Sequence, residues 1–339
     1  MTLIKNTFIG IGLSIIVAII ANFISTLIPY HLISGGVFAL LLGMLLNPII
    51  SKYLVFKGGI AFVSKQVLRI AIILMGITLS FTQVFQVGKY SLIVMTFTLI
   101  SAFGGGYLLG RLFGMNWKLS SLISAGTGIC GGSAIAAIAP TIDAKDKDIA
   151  YAISATFLFD ILMVILFPIA GRYFGMSDMG FGLWAGTAVN DTSSVVAAGY
   201  AFSDAAGAYA VIVKLTRTLS ILPTVLIFSF INERIKAKVN TDKGIAHKKV
   251  DLKKVFPYFI LLFLLMVAIK STNIVPNELS EQVSLISKFL MIMSLGAIGL
   301  KTNFKEVARS GFKPMIHGFI ISLLVVIVSF VVQMGLGQL

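Results

Sequence analysis

Four ionisable side chains, Asp160, Asp191, Lys214 and Arg217, lie within long apolar stretches of the sequence. Each charge costs roughly 2.5–3.5 kcal/mol at the centre of a membrane-spanning helix, so we expect all four to face the protein interior. Lys214 and Arg217 are three positions apart and share one helix face, which suits recognition of an oxyanion. The alternative is that both cations neutralise Asp160 and Asp191, and we expect such ion pairs when no substrate is bound.

Two polar, glycine-rich segments also interrupt apolar sequence and are typical of helix breaks. They read GTGICGGS over residues 126–133 and GTAVNDTSS over residues 186–194. Glycine permits unwound backbone, while Ser133, Asn190 and Asp191 are residue types that cap a half-helix. A half-helix beginning at membrane depth presents free N–H groups and a partial positive charge, which suit an anion. The alternative is that these glycines only permit close helix packing.

These patterns predict a site for a small oxyanion or sulfonate at the two breaks. Hydroxyl groups would hydrogen-bond the anion, Lys214 and Arg217 would balance its charge, and Asp160 or Asp191 would couple transport to protons. The predicted substrate-binding residues are Thr127, Gly131, Gly132, Ser133, Asn190, Asp191, Thr192, Ser193, Ser194, Lys214 and Arg217. The sequence contains no cluster of metal ligands, and we predict neither a metal site nor a cofactor.

The elements that carry these residues must lie in lipid. Of 339 residues, 58% are hydrophobic and 12% charged, and the mean hydropathy is +0.99, a balance that excludes a water-soluble domain. We predict an all-α polytopic membrane protein whose residues 1–339 form one transporter domain with about 9–11 transmembrane segments and two discontinuous or re-entrant helices. The first segment is interpreted as a retained signal anchor. The predicted segments are 8–27, 35–49, 66–80, 91–113, 119–140, 149–174, 179–199, 205–231, 255–269, 285–300 and 315–334.

The basic residues predict the orientation. They concentrate on alternate turns and in a basic loop at 232–254, which the positive-inside rule places in the cytoplasm together with the N-terminus. We therefore expect a multi-pass protein of a bacterial-type inner (plasma) membrane. The net charge of +14 is explained by this asymmetry and predicts no nucleic-acid partner.

Two internal similarities indicate inverted repeats, a common construction of transporters. One, at a spacing of 223 positions, matches Gly76, Phe81, Val84 and Gly88 with Gly299, Phe304, Val307 and Gly311. The other, at a spacing of 60, matches Gly126, Thr127, Ser133 and Ala137 with Gly186, Thr187, Ser193 and Ala197. The second pair is inverted if both segments are hairpins, which nearby charges favour, whereas broken helices that cross the membrane are the alternative.

Longer motifs carry a family resemblance. The runs SAGTGICGGSAIAAIAP at 124–140, GLWAGTAVNDTSSVVAAG at 182–199 and VKLTRTLSILP at 213–223 resemble the YeiH-type family, whose members are labelled sulfate exporters. MGITL at 75–79 followed by the glycine pair of the first break is more distantly similar to the bile-acid symporter and cation-antiporter superfamily. That similarity implies a panel domain, a core domain with two discontinuous helices, and elevator-type alternating access. The order departs from it, because the second break precedes the second MGxxL-like helix.

We therefore expect a transporter, an exporter or exchanger of a small anion, whose partners are that anion and the lipid bilayer, with a homodimer left open. A second hypothesis is a symporter or antiporter coupled to Na⁺ or H⁺, with Asp160 and Asp191 binding the cation. A third is an intramembrane enzyme with Cys130 as nucleophile. We expect no enzyme, because His31, His247 and His317 lie in segments distant from Cys130.

Overall fold

The computed structural model describes residues 2–27, 35–239, 257–272, 274–302 and 312–339. These ranges contain helices and no strand, and seven helical segments are long and apolar enough to cross a membrane when residues 204–235 are counted as one segment. The prediction of an all-α polytopic membrane protein is confirmed. In chain order the helices are α1 Thr2–Leu27, α2 Gly35–Ile50, α3 Leu54–Thr78, α4 Phe81–Leu112, α5 Trp117–Ala125, α6 Gly132–Ile138, α7 Asp146–Tyr173, α8 Asp178–Ala188, α9 Thr192–Phe202, α10 Asp204–Thr218, α11 Ile221–Val239, α12 Phe259–Ser271, α13 Asn277–Lys301 and α14 Phe312–Gly335.

Several helices extend beyond the predicted segments. Helix α3 begins at Leu54 instead of residue 66, and α13 begins at Asn277 instead of residue 285. The predicted limits followed uninterrupted apolar sequence, but a helix keeps its backbone hydrogen bonds where its ends carry exposed polar side chains. For the same reason α11 continues to Val239, within the predicted basic loop 232–254. Residues 240–254 of that loop lie outside the described ranges.

The helix ends define two faces of the molecule. We call the lower face the one at which α2, α4 and α13 end, and the upper face the one at which α3, α7 and α12 end. At the lower face the Asn47 side chain donates to the Leu300 carbonyl over 2.7 Å. At the upper face the Phe81 amide donates to Ser271 Oγ over 3.0 Å.

Two helix pairs enter from opposite faces and turn back. After α5, a π-helical turn at Gly126–Cys130 leads into α6, and Lys118 at the start of this pair lies 2.9 Å from the carbonyl of Asp143, just beyond its end. In the second pair, Ser203 at the end of α9 donates to Asp178 at the start of α8 over 2.5 Å. The predicted segments 119–140 and 179–199 are therefore hairpins and not single crossings. We call α5–α6 the first hairpin and α8–α9 the second hairpin.

The helices pack as two groups. The flanking group contains α1, α2, α3, α12 and α13, and the hairpin group contains α4 to α11 and α14. Close backbone approaches occur inside each group. A Cβ at Gly299 of α13 would lie 2.1 Å from the Leu40 carbonyl of α2, and one at Gly199 of α9 would lie 2.8 Å from Gly207 Cα of α10. Between the groups, ordinary apolar side chains such as Leu40 pack against α9.

Candidate functional site

The tips of the two hairpins touch at the centre of the hairpin group. Gly131 links the π-helical turn to α6 with φ of 62°, a conformation that favours glycine. A Cβ at this position would lie 3.1 Å from Asp191 Oδ1 and 3.3 Å from Asp191 Cα. Glycine is thus required both for the turn of the first hairpin and for its contact with the second.

Two carboxylates cap the N-terminus of α9. The carboxylate of Asp160 on α7 accepts hydrogen bonds from the backbone N–H groups of Asn190, at 2.8 Å, and Asp191, at 3.1 Å. Asp191 is the N-cap residue, and its Oδ2 accepts from the amide of Ser193 at 2.9 Å and from the Ser193 hydroxyl. The positive end of α9 stabilises both negative charges. At the second break, three of the amides that the sequence suggested for an anion, those of Asn190, Asp191 and Ser193, are therefore bound to the protein's own carboxylates.

Two cations bind the carbonyl ends of both hairpin breaks. Lys214 and Arg217 lie on one face of α10 and are fully buried. Lys214 Nζ donates to the carbonyls of Ile129 at 2.9 Å and Val189 at 3.0 Å, and also to that of Asn190. These carbonyls lie in the π-helical turn that follows α5 and just after the end of α8, where the helix dipole favours positive charge.

Arg217 makes a second set of such bonds. Its Nε donates to the Gly128 carbonyl at 2.6 Å, its Nη1 to the Val189 carbonyl at 3.1 Å, and its Nη2 to the Thr127 carbonyl. The planar guanidinium thus spans three carbonyls of two hairpins, which a single ammonium nitrogen cannot reproduce. Together the two cations tie the first hairpin to the second.

The predicted ion pairs are wrong. Neither Lys214 nor Arg217 lies within salt-bridge distance of Asp160 or Asp191, all four of which the structure describes. The three protons of the Lys214 ammonium are already donated to carbonyls. The buried charges are compensated by backbone groups at opposite helix ends, an arrangement that residue types alone do not reveal.

Helix α14 supports both breaks from behind. The Thr127 hydroxyl lies 3.4 Å from that of Ser322, and the Thr187 hydroxyl lies 2.5 Å from that of Ser329. The side-chain Nδ2 of Asn190 donates to Ser322 Oγ over 3.3 Å. The side-chain Oδ1 of the same residue is buried and has no hydrogen-bond partner in the described part of the chain. These bonds attach both hairpins to α14, with Thr127 and Asn190 at Ser322 and Thr187 at Ser329, two turns further along.

A cavity of about 860 Å³ lies between the hairpin group and the flanking group. Of the residues singled out from the sequence, Gly132, Ser133, Asp160, Asp191, Thr192 and Ser193 line it. The others do not contribute to its wall, namely Thr127, Gly131, Asn190, Ser194, Lys214 and Arg217. The cavity thus contacts the capped start of α9 but not the two buried cations.

Three cations in the cavity wall were not among the predicted site residues. Lys65 and Arg69 on α3 and Lys301 at the end of α13 line the cavity opposite the hairpin group. In the sequence, Lys65 and Lys301 lie at the limits of predicted segments, where lysines also serve as orientation signals. The spacing of Lys65 and Arg69, four residues apart on one helix face, is the signal that could have found them.

Cys130 is buried at the end of the π-helical turn, next to Gly131. His317 lies elsewhere, with its Nε2 3.1 Å from Ser120 Oγ and 3.0 Å from the Gly106 carbonyl. The structure therefore does not join these two residues in one site.

Comparison with known proteins assigns the sequence to a family. The family model described as Conserved hypothetical protein 698 matches residues 9–318. The chain belongs to this family. Relatives called UPF0324 membrane protein include one from Clostridium tetani, 71% identical with both chains covered completely. Others come from Streptococcus pneumoniae, at 38% identity, and Streptococcus agalactiae, at 39%, each with 99% of both chains covered. These relatives are named membrane proteins and align over at least 99% of their length, which agrees with the polytopic fold described above.

Proposed function

We propose that this protein is a membrane transporter that moves a small solute with an anionic group by alternating access. The observation that carries the proposal is the meeting of two half-inserted hairpins, from opposite faces, beside a cavity between two helix groups. Irregular backbone at membrane depth is tolerated where it is buried in protein or lines a wet cavity, and paired broken helices are a recurring construction of transporter sites.

The cavity wall supplies the recognition of the anionic group. Lys65, Arg69 and Lys301 provide positive charge, and the guanidinium of Arg69 can bind two oxygens of one acid group. This assignment replaces Lys214 and Arg217 as the anion-binding cations, because their donors are committed to carbonyls of the hairpins. Sulfate, sulfonates and carboxylates are the acid groups to be compared. The resemblance of the break motifs to YeiH-type proteins favours export or exchange.

The packing of the two groups supports an elevator-type movement. Every glycine of the described chain whose added Cβ would meet another residue within 3 Å meets its own group. Such close backbone contacts fix the helices of one group relative to each other. The apolar side-chain contacts between the groups allow one group to move relative to the other. At the upper face one exposed ion pair, Lys288 to Asp204 at 2.7 Å, joins α13 to α10. We infer a state closed at the upper face, with its cavity on the lower side.

The pairing of helices also supports an inverted repeat. Helices α3 and α13 pack antiparallel, with Ser287 Oγ donating to the Ala71 carbonyl over 2.8 Å, and the two hairpins enter from opposite faces. Residues 304–311, the second half of one predicted match, lie outside the described ranges. By the positive-inside rule the lower face is cytoplasmic in a plasma membrane, so the cavity of this state faces the cytoplasm.

Transport assays with purified protein in liposomes test the proposal. Arg69→Gln should reduce uptake of the preferred anion at least 10-fold, because it removes a forked donor from the cavity wall. Arg111→Gln, at the exposed end of α4 and away from the cavity, is the matched control. Normal uptake by correctly inserted Arg69→Gln protein, or binding of no anion at all by the wild type, would contradict the proposal.

A second candidate is coupling to Na⁺ or H⁺. It is favoured by the buried Asn190 Oδ1, which has no hydrogen-bond partner among the described residues and lies close to the bonds that Asp160 makes. An amide oxygen and a carboxylate are ligands that suit Na⁺. We expect NaCl, but not KCl, to raise the melting temperature of the purified protein and Asp160→Asn to abolish the difference. Equal effects of the two salts would leave the proton as the coupling ion.

A further inference from the structure

The hairpin side of the cavity carries a free carboxylate oxygen. Asp191 lines the cavity and is partly exposed. Its Oδ2 is bound to Ser193, but its Oδ1 accepts no hydrogen bond in the described part of the chain. Asp160, beside it, also lines the cavity. This side of the cavity therefore attracts a positive charge or a hydrogen-bond donor and repels a bare anion.

The opposite side of the same cavity has the opposite charge. Lys65 and Arg69 belong to α3, and Lys301 ends α13, so all three cations come from the flanking group. In the described wall of the cavity, the hairpin group contributes both carboxylates and no cation. The cavity is thus bipolar, with its negative side on one helix group and its positive side on the other.

We infer that the substrate is a small zwitterion, an ω-amino acid whose ammonium group binds Asp191 and whose acid group binds Arg69 and its neighbours. This inference rests on the proposed transport function and specifies its substrate class. A simple dianion satisfies only the positive side and brings negative charge towards two carboxylates. A zwitterion complements both sides, and it contacts both groups whose relative movement drives alternating access.

Binding of matched ligands to the full-length protein tests the inference without any substitution. One set contains ω-amino carboxylates of two to six carbons, and the other contains the same carboxylic acids without the amine. Aminoalkanesulfonates and alkanesulfonates form a parallel pair of sets. The wild type should bind the best amino acid at least 10-fold more tightly than its deaminated counterpart, with one preferred chain length.

Two variants then assign the two ends of the ligand. Asp191→Asn keeps a residue that caps α9 well and should reduce the amino acid preference to about 1-fold. Arg69→Gln should weaken amino acid and simple acid by a similar factor, so that the preference remains. Asp146→Asn, an exposed carboxylate change at the start of α7, is the control and should leave both affinities unchanged. Because the preference is a ratio within one protein, partial loss of folded protein does not alter it.

Each other outcome overturns the inference. If simple acids bind as tightly as their amino counterparts, the substrate is an anion and the transport proposal stands without the zwitterion. If the preference survives in Asp191→Asn, the ammonium group binds elsewhere and this assignment is wrong. If no acid of any set binds the wild type, the proposed function fails together with its substrate.

Discussion

Replacing Arg217 by lysine separates a structural role from a role in charge balance. The change preserves the charge, but one ammonium nitrogen replaces three nitrogens that donate to the carbonyls of Thr127, Gly128 and Val189. We expect two of these three bonds to be lost. A hydrogen bond to a charged group contributes about 1.5–3 kcal/mol, so Arg217→Lys should lower the free energy of unfolding by about 3–6 kcal/mol. Native stabilities of about 5–15 kcal/mol make this a severe effect.

Unfolding in mixed SDS micelles measures this difference directly. Tryptophan fluorescence is a suitable signal, because Trp117 is the first residue of the first hairpin and Trp184 lies in α8 of the second hairpin. Arg111→Lys, at the exposed end of α4, is the matched control and should change stability by less than about 0.5 kcal/mol. A loss below about 1 kcal/mol for Arg217→Lys, combined with abolished anion binding, would refute the structural role and restore Arg217 as a substrate ligand.

Three further predictions follow from the hairpins and the groups around them. Gly131→Ala should destabilise the protein by about 1–3 kcal/mol, because the φ of Gly131 is positive and an added Cβ would crowd Asp191. Gly132→Ala is the control and should have little effect, because open space surrounds Gly132. Equal thermal stability of the two variants would refute this geometry. Ser133→Cys should react with a membrane-impermeant thiol reagent from the cytoplasmic side only, and labelling from the outside would reverse the orientation. A cleavable cross-link between cysteines replacing Lys288 and Asp204 should stop transport until it is cut, and undiminished transport by cross-linked protein would exclude movement between the groups there.

The two helix breaks can be predicted from the sequence because their signals are local. Four glycines within seven residues, at 126, 128, 131 and 132, and the cap residue Asp191 are unusual in a plain membrane-spanning helix, so the breaks can be located to within a residue or two. Nearby charges favour hairpins, but local sequence does not decide whether each break turns back or crosses. That choice depends on contacts such as Lys118 with Asp143, which join residues 25 positions apart.

The partners of the buried charges could not be predicted in the same way. Counting residue types matched two cations with two carboxylates, but a half-helix offers unpaired carbonyls at one end and unpaired amides at the other. Lys214 binds the former and Asp160 binds the latter. The helix end that each charge reaches is determined by how α7 and α10 pack against the two hairpins, and no short sequence motif encodes that packing. The sequence does not single out Lys65 and Lys301 as cavity residues, because lysines at the limits of the predicted segments also set membrane orientation.

The bonds from α10 to both hairpins have a consequence for biosynthesis. Arg217, which donates a hydrogen bond to the carbonyl of Thr127, is synthesised 90 residues after it. Four more carbonyls accept hydrogen bonds from the same helix α10, namely those of Gly128, Ile129, Val189 and Asn190. Until α10 has left the insertion machinery, these carbonyls lack their hydrogen-bond donors, so neither hairpin can enter the lipid without unpaired backbone groups. A nascent chain stalled before α10 should therefore be held at the translocon or degraded by membrane proteases, and the first hairpin should become protected from them only when residues 214–217 have been inserted.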